Sequence, residues 1–360
     1  SSRLDLKRLN TECMYKLDLA ERFVKEEREI KYNTVIEYAY KMLLQNQAHD
    51  SICGCSTDDV HNENKIRYKK ILQIANGIID ELKSQNNFNE KRVINLSDKS
   101  FSGIIEFESS NKLTGYDNIS FRKGFDKYLL TDTQKIPITE DYTKIYTYLA
   151  EVDKIKPNEI DVIMPSLTES DLKITNNSIE NSKINLQICD KKVFVNGIEF
   201  SLTDFLDLGD SYNYAPDKND TGKVYEVIRS RIILNTPSRA SLKIDFEGNW
   251  DVIPLTVTLD KNSDFLKFYF EWDNSQKNHM LCVTFNLEHS IKEVFSEDMN
   301  SLIKRNFEPD YNIRENLPTE KGVEVKNNTA PMQRGLLIDE NGNNIGVITK
   351  GLTQYEIYKN

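Results

Sequence analysis

The repeat period of the apolar residues changes once along these 360 residues, and that change limits the possible folds more than any other feature. Up to about residue 85 the apolar positions recur at spacings of three and four, the signature of amphipathic helices. After the polar linker Gln85-Asn86-Asn87-Phe88-Asn89-Glu90 they alternate, the signature of strands with one covered face. A chain patterned in this way is α+β and multidomain, with a three-helix bundle followed by antiparallel β-sandwich domains.

The first helix is expected over residues 4–28, with Leu9, Cys13, Leu17, Ala20 and Val24 as its apolar stripe. After the short Lys31-Tyr32-Asn33 link, Thr34 and Glu37 have the spacing of a capping box, and Val35, Tyr38, Ala39, Met42 and Leu43 give the second stripe. The third helix is expected from about Thr57 to Ser84, with Ile71, Ile74, Ala75, Ile78 and Leu82 facing inward. In its first half Val60, Asn64 and Arg67 occupy the same stripe, so that face turns polar. Either it lines a polar cleft or its first turns protrude into solvent.

Strands are expected at residues 92–96, 103–108, 142–152 and 159–164, making residues 91–175 one small antiparallel β-sandwich domain. From 176 to 360 the strands are longer and more aromatic. They are expected at 184–188, 192–195, 224–234, 239–246, 252–259, 265–272, 281–285, 335–339 and 345–349, with Asn-Gly and Gly-Asn turns between several of them. Many strands with few helices imply a larger sandwich, a supersandwich of packed sheets. With the helices at 1–85, the expected domains are therefore 1–85, 91–175 and 176–360.

The formal net charge of −10 removes the electrostatic case for nucleic acid, whose phosphates call for clustered Lys and Arg. No apolar run approaches the roughly 20 residues of a membrane span, so no membrane partner is expected. The chain opens on Ser1 without an initiator Met and without a charged-then-apolar leader. Five Cys in a chain this long do not make a disulfide framework; Cys13, Cys189 and Cys282 sit in apolar patterns and read as buried thiols. That usage suits a reducing compartment, and a cytoplasmic, bacterial location is expected.

One stretch concentrates chemistry. Residues 43–61 hold two of the four His and two of the five Cys, between two helical segments. Gly54 interrupts the helical pattern, and Ser56-Thr57-Asp58-Asp59 resembles a cap for the next helix. His49 and Asp50 are thereby expected at the C-terminal end of the second helix, facing an open loop. An imidazole beside a carboxylate can bind a metal or move a proton, or it can simply cap a turn.

The string Gln45-Asn46-Gln47-Ala48-His49-Asp50-Ser51-Ile52-Cys53-Gly54-Cys55-Ser56, followed by Asp59-Val60-His61, resembles the middle-domain signature of glycoside hydrolase family 38, the retaining α-mannosidases. The resemblance extends to Gly209-Asp210-Ser211-Tyr212-Asn213-Tyr214-Ala215-Pro216, similar to a loop that reaches the active-site mouth in that family. It also takes in Leu302-Ile303-Lys304-Arg305, Ala330-Pro331-Met332-Gln333-Arg334 and Gly351-Leu352-Thr353-Gln354-Tyr355-Glu356, similar to phrases of its C-terminal sandwich.

The resemblance implies that His49 is a ligand to a catalytic zinc ion. It implies sugar contacts from Asp50, Asp210, Tyr212 and Tyr214, and a substrate that is an α-mannoside or a mannose-containing oligosaccharide. In the family a large N-terminal domain supplies the nucleophilic Asp, the acid/base carboxylate and the other zinc ligands. No stretch here matches that domain, so no catalytic nucleophile or acid/base is expected in this segment. The expectation is a fragment of a zinc α-mannosidase, inactive without that domain, holding zinc weakly or not at all, and able to self-associate into a homo-oligomer.

Two other readings compete. His49, Cys53, Cys55 and His61 have ligand types that suit a structural zinc, although a Cys-x-Cys pair is cramped for tetrahedral chelation. Alternatively the chain is a non-catalytic carbohydrate-binding or assembly module, which would show an exposed aromatic row on one sandwich face. Periodicity reveals no such row. Arg3 reads as a polar contact near the His49 loop or as a solvated side chain, and His279 and His289 read as solvated.

Overall fold

The computed structural model describes residues 3–358, apart from 28–29, 86–89, 126–127, 131–134, 138, 140, 166–168, 210–213, 250, 288–290, 299–300, 309, 314–327 and 341. The helices come first and the antiparallel sheets follow, an α+β multidomain arrangement. The chain divides into two compact units that do not follow chain order. The first unit comprises Ser1–Asn87, Thr203–Lys223 and Gln276–Asn360, and the second Phe88–Leu202 and Val224–Ser275.

In the first unit three long helices, α1 (Leu4–Glu27), α2 (Asn33–Asn46) and α4 (Asp58–Gln85), pack together, with the short α3 (His49–Cys53) between the last two. Leu6, Cys13, Leu17, Ala20 and Val24 of α1 meet Tyr68, Ile71, Ala75, Ile78 and Leu82 of α4 in the bundle core. Fully burying a side chain of this size contributes about 1.5–3 kcal/mol, so these stripes outweigh the modest helix propensity of a charged sequence. The stripe of α2 is Ile36, Ala39, Met42, Leu43 and Asn46, whereas Val35 and Tyr38 are exposed. The expected α2 face is thus rotated, because one of its inward positions is an asparagine.

No side-chain cap forms at the start of α2: the 3-10 turn Ile30–Tyr32 runs directly into it, and Glu37 pairs with Lys41 at 2.9 Å instead of closing a capping box. Further on, Ser301–Arg305, Ile291–Asp298, Gly335–Glu340 and Asn343–Ile348 make a four-stranded antiparallel sheet in that order. Gly351, at φ 96°, brings the late chain so close to α1 that a Cβ there would lie 3.2 Å from the Arg8 Cα. Only glycine fits both that approach and that backbone angle. No helix among the described residues is long and apolar enough to cross a membrane.

In the second unit the antiparallel sheet Glu226–Asn235, Arg239–Glu247, Val252–Asp260, Leu266–Phe270 presents an apolar face. Phe200 of the neighbouring sheet stacks on Phe268 at 5.0 Å and lies 6.5 Å from Phe246. Ile179, Leu186, Val193, Leu242, Ile244, Leu255 and Val257 are almost fully buried around them, the packing of a β-sandwich. A smaller three-stranded sheet, Phe101–Ser109, Thr143–Ile155, Asp117–Gly124, is joined to it by ion pairs. Arg239 reaches Glu106 at 3.0 Å and Lys261 reaches Glu151 at 3.1 Å.

Two thiols expected inside are not there. Cys13 is buried, but Cys189 is exposed at the end of its strand and Cys282 is half-buried. His279 departs from expectation in the other direction. Its side chain is buried, with Nδ1 2.7 Å from the buried carboxylate of Asp204. The residues flanking it in a polar loop disguised a strand that starts at His279. His289 lies outside the described residues.

Candidate functional site

The His49 segment is built by two breaks in a helical path. Ala48 takes an extended conformation (φ −52°, ψ 137°), which ends α2 and lets its carbonyl accept the N–H groups of Ser51 and Ile52. Gly54 takes the left-handed conformation at φ 86° and closes the turn, and Cys55 and Ser56 donate their N–H groups to the Asp50 carbonyl. His49 and Asp50 therefore begin a short helix of their own; they do not end α2 as the sequence suggests.

His49 projects into solvent with 90% of its side chain exposed, and Asp50 is 57% exposed. The Nε2 of His49 lies 2.9 Å from Asp50 Oδ1. In the neutral ring that contact places the proton on Nε2 and leaves the Nδ1 lone pair outward. Cys55 Sγ also lies 3.6 Å from Asp50 Oδ1, so among the described residues Oδ2 is left to accept a ligand hydroxyl.

The floor under this pair is a buried polar network. Asn46, fully buried, donates through Nδ2 to the Asn64 carbonyl at 2.9 Å. Arg67 Nη1 donates to Asn64 Oδ1 at 2.9 Å and to Asn46 Oδ1 at 3.3 Å, while its Nη2 reaches Glu63 at 3.0 Å. The polar half-stripe of α4 is thus mixed: its first turn protrudes, with Val60 exposed, Arg67 is partly exposed, and the middle is buried. Asn64 and His61 are sealed inside, with Asn64 Nδ2 and both His61 ring nitrogens without hydrogen-bond partners.

Lys7 on α1 is buried beneath the turn and reaches the Cys53 carbonyl at 3.4 Å. Burial pulls its ammonium below the ordinary lysine range, an effect partly opposed by the charges of Cys53, Asp5 and Cys55. Burial also pushes Asp5 up, but the hydrogen bond and charge of Lys65, 2.8 Å away, together with backbone N–H groups, outweigh it and hold Asp5 low. Arg3 pairs with Asp58 at the start of α4, a polar contact at the end of the His49 loop.

Among the sugar-contact residues suggested by the sequence, Asp210 and Tyr212 lie outside the described residues. Tyr214 is half-buried and belongs to the same compact unit as His49. Its loop is closed by the Leu208 N–H on the Ala215 carbonyl and by Asp207 Oδ1, which accepts from Gly209 and Ala215. The described residues contain no group of three His, Cys, Asp or Glu side chains able to hold a metal. His49, Cys53, Cys55 and His61 do not form a structural zinc site, since His61 is sealed in the bundle while His49 and Cys53 face solvent. His49 and Asp50 supply one nitrogen and one carboxylate, short of the three protein ligands of a catalytic zinc, so the described residues alone do not fit that ion.

Comparison with known proteins assigns the helical region. The family described as "Alpha mannosidase middle domain" matches residues 1–85. Residues 1–85 are thus similar to an α-mannosidase middle domain. The chain is also similar to a curated relative, a putative mannosylglycerate hydrolase of Halalkalibacterium halodurans, 39% identical over 83 residues, 22% of this chain and 9% of that protein. The fold of middle domain and sheets together is shared with an α-mannosidase from Enterococcus faecalis V583, at a TM-score of 0.78, 19% identity and 99% coverage of this chain. A second E. faecalis structure, described as a protein in glycosyl hydrolase family 38, gives 0.75 and 18%. The chain spans about half the length of these solved structures, 50% of one and 51% of the other.

Proposed function

We propose that this chain is the part of a retaining, zinc-dependent α-mannosidase that supplies one metal ligand, His49, and sugar contacts from Asp50, Asp210, Tyr212 and Tyr214. The substrate class is a terminal α-mannoside, free or in an oligosaccharide. The observation that carries this reading is the solvent-facing His49–Asp50 pair within a middle domain of that family. A buried network fixes the backbone beneath the pair, while among the described residues nothing occupies its Nδ1 lone pair or the second Asp50 oxygen.

Retaining hydrolysis needs two carboxylates about 5–5.5 Å apart, one as nucleophile and one as acid and then base. Among the described residues Asp50 is the carboxylate beside His49, and it is held by the imidazole. We assign the catalytic pair and the remaining zinc ligands to a further domain of the kind found N-terminal to family middle domains, and the chain by itself is inactive. The test is hydrolysis of 4-nitrophenyl α-mannoside with zinc present. Turnover is expected from a polypeptide that joins such a domain to this chain and is absent from this chain alone. Turnover by the 360 residues alone overturns the assignment.

A further inference from the structure

The three-stranded sheet of the second unit carries an aromatic ladder with no part in the chemistry of the middle domain. Its central strand, Thr143–Ile155, places Lys144, Tyr146 and Tyr148 on one face. Across the strand boundaries Tyr146 is the partner of Phe121, Lys144 of Lys123, and Tyr148 of Phe107. The rings touch in series: Phe121 to Tyr146 at 6.4 Å, Tyr146 to Tyr148 at 6.2 Å, Tyr148 to Phe107 at 5.7 Å and Phe107 to Tyr116 at 5.2 Å.

One end of the ladder is fixed. Tyr148 is buried and its hydroxyl accepts the Leu113 N–H at 2.8 Å, while the Tyr116 hydroxyl donates to the Ile163 carbonyl at 2.7 Å. The other end is open. Phe121 is 58% exposed, and Tyr142, beside Phe125 at 6.1 Å, is 43% exposed.

Two cations stand over the open end. Lys144 Nζ lies 5.3 Å from the Phe121 ring centre and Lys123 Nζ 4.5 Å from that of Tyr142. The two lysines are direct cross-strand partners, a placement in which like charges repel. Neither has a carboxylate partner among the described residues. On the opposite face of the same strand, Arg122 is gripped by both oxygens of Glu108 at 2.9 and 2.8 Å. In a protein with ten excess negative charges, the contacts of these two ammonium groups among the described residues are to aromatic faces.

We propose that this face binds an acidic sugar, with the sugar ring packed on Phe121 and Tyr142 and its carboxylate or phosphate between the ammonium groups of Lys123 and Lys144. Sugar C–H faces pack on aromatic rings that are already held in place, so little ordering is needed on binding. An anion between the lysines removes their mutual repulsion. A nucleotide would also suit rings and cations, but the overall acidity of the chain and its glycosidase fold favour a saccharide.

Calorimetric titration of the 360-residue chain tests this, and it reads binding without turnover, so its outcome is independent of the proposed hydrolysis. Mannosylglycerate is expected to bind at least about tenfold more tightly than methyl α-mannoside, glycerate or AMP. Phe121→Ala, and separately Lys123→Gln with Lys144→Gln, are each expected to weaken it about tenfold with the melting temperature unchanged, because these side chains are exposed. Equal affinity for the acidic and neutral sugars overturns the proposal, as does equal affinity for glycerate, tighter binding of AMP, or undiminished binding by the variants. If a variant melts earlier, shielding of Phe121 and Tyr142 from a soluble paramagnetic agent by mannosylglycerate decides the matter, and no shielding rejects it.

Discussion

Asn46 of α2 gives its side-chain amide to the main-chain carbonyl of Asn64 on α4 at 2.9 Å, and both residues are sealed from solvent. This bond sets the position of the turn that carries His49, three residues after Asn46. Replacing Asn46 with Ala leaves a buried carbonyl and one Arg67 N–H without that partner. The expected loss is about 1–3 kcal/mol of unfolding free energy, read as a lower urea midpoint at an unchanged slope. An unchanged midpoint would show that water replaces the amide at no cost.

His61 sits in the same interior with neither ring nitrogen bonded. Substituting a buried polar group that lacks partners by an apolar one of similar bulk is neutral or stabilising. His61→Leu is therefore expected to keep or raise the urea midpoint, whereas the same change at a bonded histidine lowers it. A loss above about 1 kcal/mol would reveal a partner that the ring does require.

The bundle is expected to weaken in alkali. Burial, with Glu12 adding to it, pushes the Cys13 thiol up to about 12, and burial beside Glu21 pushes Tyr40 up to about 12. Burial also raises Tyr68, with Cys13 adding to it. The unfolded chain releases these protons from about pH 9 for the thiol and pH 10 for the phenols, while the folded chain keeps them. Stability is thus complete below pH 9 and falls as the pH rises from 9 to 12, by up to about 1.4 kcal/mol per pH unit from Cys13. Urea midpoints at pH 8 and pH 10.5 measure this, and Cys13→Ala should flatten the slope.

In the second unit Arg239 holds Asp260 through two nitrogens, at 2.5 and 3.2 Å, with little exposure of either side chain. Lys267 reaches the same carboxylate from a more exposed position. Arg239→Met strands much of a buried negative charge, and a loss of about 3 kcal/mol is expected. Lys267→Gln should cost less than about 1 kcal/mol. Equal costs would mean that the carboxylate is better solvated than its burial indicates.

The helices and the change of period were legible because each apolar stripe is local to one segment. The rotation of α2 was not, because burying Asn46 in place of Tyr38 depends on Asn64 and Arg67, which lie 18 and 21 residues away. The strand Asp117–Gly124 escaped notice because its exposed positions blur the alternation, and Ile198–Leu206 because a mostly buried run barely alternates. The aromatic ladder was hidden for a related reason. Its members come from three strands and a loop, and only the register Phe121 with Tyr146 and Phe107 with Tyr148 assembles them. The role proposed for His49 rests on family resemblance, since a histidine beside an aspartate has no distinctive spacing.

The most direct test of the central assignment is the zinc content of a polypeptide that joins this chain to a family N-terminal domain, measured by mass spectrometry after dialysis. With His49 intact, about one zinc per chain and turnover of 4-nitrophenyl α-mannoside are expected, and His49→Ala should remove both while the circular dichroism of the bundle is unchanged. Zinc retained at full stoichiometry by the His49→Ala protein would contradict the assignment.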